Sequence, residues 1–264
     1  MTDLTADHAQ RAIVDYTGRL AESAAAAGPD AAVPTTPEWT VTDLVAHVGQ
    51  TQHWIAEIIE RRITDPTQLP TAMAVLPTDP REWRAWLSES AQRVANACSD
   101  DALDAPVFNA AGDERTGTRF WMINVLNETV VHGFDAATAA DRPTDIDADV
   151  AAALISHHLA MLTSPTWEML RSESARALRG TGQSLQWVAT DTEGAWFVER
   201  RPDRATWRLG TQDADVTVTG PAQSLLLTLT RRLPLTDRGA TGITVDGDAD
   251  LAQHWLDHTA HVGG

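Results

Sequence analysis

The stretch from Thr118 to Ala140 constrains the fold most, because one predicted helix carries a carboxylate and an imidazole on its apolar face. Residues three or four positions apart share a helical face. Three apolar side chains mark this face as buried: Trp121, Val125 and Val131. Glu128 and His132 lie on the same face, one turn apart. Because an unpaired buried charge is costly, the pair needs compensation, and Glu-x-x-x-His suits zinc or a similar divalent ion.

The alternative interpretation of this spacing is a solvated Glu–His pair, and a second stretch bears on the choice. Thr40 and Asp43 form a Thr-x-x-Asp signal that begins a helix. His47 lies at the edge of the apolar face of that helix. Alone, His47 is typical of a core or boundary histidine. Together with Glu128 and His132 it is a third donor, and three protein donors with an open fourth position are typical of a catalytic metal site.

The two motifs resemble a known family. Trp-Thr-Val-Thr-Asp-Leu-Val-Ala-His-Val-Gly at 39–49 and Asn-Glu-Thr-Val-Val-His-Gly-Phe-Asp at 127–135 are similar to sequences of the actinobacterial maleylpyruvate isomerase family of mycothiol-dependent enzymes. The resemblance implies a DinB-like four-helix bundle followed by a sterol-carrier-like domain. It also implies that His47, Glu128 and His132 are the ligands of a divalent metal, for which Zn²⁺ is the leading candidate, and that mycothiol is the thiol cosubstrate.

Periodicity along the chain agrees with an α+β protein of two domains. Four helices are predicted up to about Ala140, and the pattern changes near Thr163, which gives a helical bundle at 1–163 and an antiparallel α+β domain at 164–264. A further helix from Asp149 to Leu162 carries His157 and His158, which we expect to be exposed. Short β-like segments follow from Leu185.

Composition narrows the class of protein. The formal net charge of −17 over 264 residues disfavours nucleic acid and anionic membranes as partners. No apolar run approaches the roughly 18 to 20 residues of a membrane span, and the N-terminus lacks a secretory pattern, so we expect a cytoplasmic monomer or homodimer. Cys98, the only cysteine, is predicted to be a small buried side chain.

Further residues are candidates for supporting roles. Asn124 and Asp135 lie near the metal motif on the same helix and are candidates for supporting its ligands by hydrogen bonds. Asp135 is predicted either to orient a ligand or to anchor the helix against its neighbour. A dianionic substrate would need arginines. Four are candidates, with solvated surface arginine as the alternative: Arg81, Arg84, Arg231 and Arg232.

Three functions fit these observations. The first is a mycothiol-dependent metalloenzyme that adds the thiol to a small electrophile, either as an S-transferase or as a maleylpyruvate-type cis–trans isomerase. The second is a metal-dependent hydrolase, for which only Asp135 or His53 offers a further base. The third is a small-molecule binding protein with a structural metal. The identity of the electrophile does not follow from the sequence.

Overall fold

The computed structural model describes residues 4–235 and 241–259, which group into two compact units. The first unit comprises Leu4–Ala110 and Glu114–Asp145, and the second comprises Ala111–Asp113 with the described residues from Ile146 onward. The outermost parts of the two predicted domain ranges, 1–3 and 260–264, lie outside the described residues. Among the described residues, no helix combines the length and apolarity that crossing a membrane would need.

Four long helices form the first unit, as the sequence predicts. They are α1 (Ala6–Ala27), α2 (Val41–Glu60), α3 (Trp83–Ala97) and α5 (Gly117–Ala139), with the single turn α4 (Asp100–Leu103) between the last two. Helices α1 and α2 each pack against both α3 and α5, which closes a four-helix bundle. Its interior is filled by fully buried aliphatic side chains that include Ile13, Leu20, Leu44, Ile55, Leu87 and Leu126.

Helix α2 begins with a complete capping box. The Thr40 hydroxyl accepts a hydrogen bond from the Asp43 backbone N–H at 3.3 Å, and the Asp43 carboxylate accepts one from the Thr40 N–H at 2.9 Å. Further along α2, Gly49 lies against the indole of Trp86 on α3, where a β-carbon would clash with the ring. The start of α2 and its close approach to α3 therefore follow from particular residues on either side of His47.

A buried network of polar side chains crosses the interior of the bundle. The Gln52 amide donates to the hydroxyls of Thr17 at 2.7 Å and Thr129 at 3.1 Å, while Ser90 donates to the Gln52 carbonyl oxygen at 2.5 Å. The four side chains come from α2, α1, α5 and α3, and all are buried. Because unsatisfied polar atoms in a core are costly, this network favours one relative arrangement of the four helices.

The second unit combines helices with a five-stranded sheet. Helices α6 (Ala148–Leu162), α7 (Pro165–Leu170) and α8 (Ser172–Ala177) precede the strands β1 (Ser184–Ala189), β2 (Ala195–Arg200), β3 (Ala205–Leu209) and β4 (Val216–Gly220). Helix α9 (Ala222–Leu229), strand β5 (Thr244–Gly247) and helix α10 (Ala249–Asp257) follow. Helix α9 packs against α6, β1 and β4. The predicted α+β class is confirmed.

The prediction of a purely antiparallel sheet is wrong at one pairing. The strand order is β3-β2-β1-β4-β5, and β1 pairs with β4 in parallel, with Leu185 opposite Val216 and Trp187 opposite Val218. The remaining pairings are antiparallel. The first three strands form a meander, after which the chain crosses to the other side of β1. Alternation along single strands predicts which face is buried and carries no information on this crossing.

Helix α6 differs from the sequence-based expectation in two respects. Its contacts group it with the second unit, whereas the predicted domain range places residues 148–162 in the first; the boundary at 163–164 stays a prediction about folding units. His157 and His158 are both buried, so their predicted exposure is wrong. The helix is apolar around most of its circumference and packs against both α7 and α9. Adjacent residues on it, such as His157 and His158, can therefore both be buried.

Candidate metal centre

Helices α2 and α5 bring His47, Glu128 and His132 together. Oε2 of Glu128 lies 3.1 Å from Nε2 of His47 and 3.4 Å from Nε2 of His132. One donor atom from each side chain falls within a common distance of 4.8 Å. The sequence therefore predicted the convergence of the three side chains, although it could not give their distances, which depend on how α2 packs against α5.

The three side chains differ in exposure. His132 is 9% exposed at its side chain, while His47 and Glu128 retain 33% and 29%. The sequence predicted that Glu128 and His132 both point inward; His132 is nearly buried, whereas Glu128 keeps part of its surface exposed. The cluster is thus anchored in the bundle on the His132 side and accessible to solvent on the other. Such one-sided access is what a site with an open coordination position requires.

Asp135 fixes the ring of His132. Its Oδ2 lies 2.9 Å from Nδ1 of His132, and its Oδ1 accepts a hydrogen bond from the Thr35 hydroxyl at 2.6 Å. Asp135 is fully buried. With Nδ1 engaged by a carboxylate, Nε2 is the nitrogen of His132 that faces Glu128. Carboxylate–histidine pairs of this kind set the orientation of histidine ligands in metal sites.

The indole of Trp39 contacts both imidazoles. Its ring centroid lies 5.0 Å from that of His47 and 5.5 Å from that of His132, and it stacks on His132 at an interplanar angle of 29°. The two imidazoles are 4.8 Å apart and nearly perpendicular. Trp39 immediately precedes the N-cap Thr40, a position at which apolar residues often pack back onto the first turns of a helix.

Charges in the cluster stabilise one another. Burial opposes ionisation of Glu128, but hydrogen bonds with His132 and His47 hold the pKa of Glu128 well below its ordinary value. Burial also lowers the pKa of His132, yet hydrogen bonds with Asp135 and Glu128 outweigh that effect and raise the pKa to about 9. Without a cation, His132 is therefore a protonated imidazolium between two carboxylates at neutral pH.

The donor set suits a divalent cation. Two imidazole nitrogens and one carboxylate oxygen are typical zinc ligands, and a further carboxylate supports one histidine from behind. A cation would replace the proton that now neutralises part of the negative charge. Among the described residues, this is the group of histidines and acidic side chains whose donor atoms converge closely enough to hold a metal ion.

Apolar and aromatic side chains continue the α2–α5 seam beyond the cluster. Trp54 follows His47 by seven residues and Trp121 precedes Glu128 by seven, about two helical turns in each case. Their rings meet edge to face at 5.4 Å. The Trp54 indole donates to the Pro70 carbonyl at 2.9 Å, and the Gln50 amide donates to the Ala74 carbonyl at 3.0 Å. These bonds fasten the long connection between α2 and α3 along α2.

Other predicted site residues lie elsewhere or in other roles. Asn124 is half-buried on α5. Arg81 and Arg84 are exposed and paired with carboxylates, Arg81 with Asp79 at 2.6 Å and Arg84 with Glu22 at 3.1 Å. Arg231 and Arg232 follow α9 in the second unit. The structure does not bring Arg81 or Arg84 into any described contact with the cluster, so their substrate role stays a prediction.

Cys98 caps the C-terminal end of α3 and is fully buried. Burial raises the pKa of its thiol to about 12. A thiol with that pKa is protonated at neutral pH and is a poor nucleophile. The small buried side chain predicted for Cys98 from the sequence is confirmed.

Sequence reasoning missed the roles of Thr35 and Trp39. Trp39 belongs to the recognised motif, and its position before an N-cap could have indicated packing on α2, although not on two imidazoles. Thr35 lies 100 positions before Asp135, and no local pattern links the two.

Fold and site together define a class: a helical-bundle protein with a His/Glu/His donor set, followed by an α+β unit. Residues 10–137 match the family model described as the mycothiol maleylpyruvate isomerase N-terminal domain. The resemblance predicted from the sequence is confirmed for these residues.

Solved structures support the same assignment of fold. A crystal structure of the mycothiol-dependent maleylpyruvate isomerase is 16% identical, with a TM-score of 0.56, and covers 92% of this chain and 94% of its own. A histidine-to-alanine mutant of that enzyme is 15% identical, with a TM-score of 0.55 and the same coverage. No curated protein sequence matches the chain. The sterol-carrier-like identity of the second unit stays a prediction.

Proposed function

We propose that the protein is a mycothiol-dependent metalloenzyme that joins a thiol to a small electrophile, permanently as an S-transferase or transiently as a maleylpyruvate-type cis–trans isomerase. The observation that carries the proposal is the convergence of His47, Glu128 and His132 within a domain of the mycothiol maleylpyruvate isomerase family. The structural neighbours are mycothiol-dependent maleylpyruvate isomerases by name, which supports the choice of thiol.

The chain's own residues have distinct tasks in this proposal. His47, Glu128 and His132 would hold a divalent cation. Zn²⁺ is the leading candidate because imidazole nitrogens and carboxylate oxygens are typical zinc ligands. When bound, such a cation supplies the acidity that keeps a coordinated thiol deprotonated near neutral pH. Asp135 holds the proton of His132 at Nδ1, so that Nε2 is presented to the cluster. Trp39 covers both imidazoles and limits the approach of water from its side.

An external thiol fits this chain because its own cysteine is unsuitable. Cys98 is buried at the end of α3, and burial raises its pKa to about 12. The sulfur must therefore come from a cosubstrate. The two reactions differ in the fate of the new carbon–sulfur bond: the product of an S-transferase keeps it, whereas an isomerase releases the thiol and returns the substrate with trans geometry.

A hydrolase is supported less well. It would need a further base beside the cluster. Asp135 is occupied by His132 and Thr35. Nδ1 of His53 lies 3.4 Å from an Arg93 guanidinium nitrogen, and burial, followed by the charge of Arg93, lowers the pKa of His53. The third alternative, a small-molecule binding protein with a structural metal, differs from both enzymes in that it would not convert any substrate.

The test is a panel of small electrophiles, including cis-enoyl diacids, incubated with the metal-loaded protein and mycothiol and followed by mass spectrometry and chromatography. We expect a thiol adduct or a cis–trans conversion that glutathione supports poorly, because its peptide body differs in shape. Hydrolysis of a panel compound at full rate without any thiol would favour the hydrolase. Absence of conversion across the panel, with metal bound, would favour the binding protein.

A further inference from the structure

We infer that the loop from Ala31 to Thr40 is a positioning element for both histidine donors, acting on His132 through Thr35 and Asp135 and on both rings through Trp39. This inference rests on the proposed function, since it concerns the ligands of the proposed cation. Neither Thr35 nor Trp39 offers a ligand atom to the cluster itself. Each acts through another side chain.

The first contact is a relay of hydrogen bonds into the bundle. The Thr35 hydroxyl donates to Oδ1 of Asp135 at 2.6 Å, and the other carboxylate oxygen lies 2.9 Å from Nδ1 of His132. Thr35 is half-buried and Asp135 is fully buried. A carboxylate held at one oxygen can rotate less, so the Thr35 hydroxyl restricts the direction in which Asp135 aims at the imidazole. The ring orientation of His132 thus depends on a residue of the loop.

The second contact is aromatic. Trp39 stacks on His132 and leans against His47. His47 lies on α2 and His132 on α5, so one indole restricts donors that belong to two different helices. Offset stacked and edge-on ring contacts of this kind are favourable beyond the area that they bury. The indole therefore opposes independent rotation of the two imidazoles.

The loop itself is held by its own backbone. The Val33 N–H donates to the Trp39 carbonyl at 3.0 Å, the Trp39 N–H donates to the Thr36 carbonyl at 2.9 Å, and Ala32 pairs with Thr40 as an isolated antiparallel bridge. The Val33 side chain is fully buried in the bundle core. These bonds close the loop on itself, so that Thr35 and Trp39 are presented from a fixed frame.

The neighbouring residue provides a matched control. Thr36 has the same side chain one position later, and its Oγ1 is buried without a hydrogen-bond partner among the described residues. Thr36→Val therefore removes a hydroxyl from the same loop without touching Asp135. Thr35→Val removes the hydroxyl that reaches Asp135, and Thr35→Ser restores it on a smaller side chain.

The experiment measures the Co²⁺ affinity of the metal-free full-length protein by chelator competition and records the visible absorption of bound Co²⁺. Removing groups that support a ligand from behind typically weakens metal binding about 10- to 100-fold. We expect Thr35→Val to weaken Co²⁺ binding by about 10-fold and to shift the ligand-field bands, while Thr35→Ser and Thr36→Val match the wild type. A purely structural role would lower the free energy of unfolding and leave the spectrum of the folded, loaded protein unchanged.

Trp39 gives a second, independent arm. Trp39→Leu should alter the Co²⁺ spectrum and weaken binding, and Trp39→Phe, which keeps a planar ring, should restore much of both. If the wild type binds Co²⁺ and all substitutions at 35 and 39 leave affinity and spectrum unchanged, the positioning role is wrong and the proposed function stands. If the wild type does not bind Co²⁺, the cation site and the inference that rests on it both fail.

Discussion

Nδ1 of His132 lies 2.9 Å from Oδ2 of Asp135, three residues later on the same helix. This relationship makes Asp135 a supporting group for one donor of the candidate centre. It also gives the carboxylate a second task, because its other oxygen accepts the Thr35 hydroxyl and fastens α5 to the loop before α2.

We therefore expect Asp135→Asn to weaken metal binding by about 10- to 100-fold and to lower the free energy of unfolding. An amide offers one acceptor oxygen where the carboxylate offers two, so one of the two donors loses its partner. Chelator competition measures the first effect and denaturant unfolding of the metal-free protein the second. If Asp135→Asn changes neither quantity, Asp135 supports nothing and its assignment is wrong.

Substitution of the donors should remove the metal. His132→Ala and Glu128→Gln should reduce the bound divalent ion from one per chain to a trace amount, because two donors rarely retain a cation against water. His53→Ala is the matched control, since His53 lies on α2 six positions after His47 and contacts Arg93 and Trp86. The measurement is the number of metal ions bound per chain, determined by metal analysis of the dialysed proteins. Stoichiometric metal in a His47→Ala/His132→Ala double variant would place the site elsewhere.

Metal uptake should release a proton. Burial lowers the pKa of His132, but its hydrogen bonds with Asp135 and Glu128 raise the pKa to about 9. This imidazole is therefore protonated at pH 7.5 in the metal-free protein. It lies between Glu128 and Asp135 and close to the ring of His47. Coordination needs the neutral ring. The apparent affinity should thus rise with pH until about pH 9 and then level off.

Calorimetric titration at pH 7.5, in two buffers of different protonation enthalpy, measures this release. We expect about one proton per bound cation, with the same value for His53→Ala. A titration heat that does not depend on the buffer would show that His132 is already neutral or is not a ligand.

Cys98 should be chemically inert in the folded protein. Burial raises the pKa of its thiol to about 12, and its backbone carbonyl accepts a hydrogen bond from Gln10 at the end of α3. Iodoacetamide at pH 8 should therefore label the native protein slowly and the unfolded protein rapidly. Cys98→Ser should keep thiol-dependent activity. Loss of activity in a folded Cys98→Ser protein would make Cys98 a nucleophile and remove the need for an external thiol.

The Gln52 network should contribute measurably to stability. Ser90→Ala leaves the Gln52 carbonyl oxygen without its donor, which we expect to lower the free energy of unfolding by about 1–3 kcal/mol. In a Gln52→Leu background the same substitution should cost less, because the acceptor is absent. Urea unfolding of the two single variants and the double variant measures this coupling. Strict additivity would show that Ser90 and Gln52 do not interact energetically.

The sequence predicted most elements because their signals are local. Apolar periodicity located α1, α2, α3 and α5, and the Thr40–Asp43 capping signal located the start of α2. The same local arguments could not give the parallel pairing of β1 with β4, since pairing depends on where the chain crosses after β3. They also misjudged His157 and His158, which are covered by tertiary contacts of α6.

For the candidate metal centre, the three donors were predictable from the sequence and the residues that support them were not. Helical spacing related Glu128 to His132, and motif resemblance added His47 across 81 positions. The support from Thr35 and Trp39 was not predictable, because it depends on how the loop before α2 is placed against α5.

The most direct test of the central claim titrates the metal-free protein with Zn²⁺ while measuring its mycothiol-dependent conversion of an electrophile found in the panel. We expect the rate to rise linearly with added Zn²⁺, to reach its maximum at one equivalent per chain, and to stay at background in His132→Ala throughout. A full rate in the metal-free protein, or an equal rate without mycothiol, would contradict the proposed function.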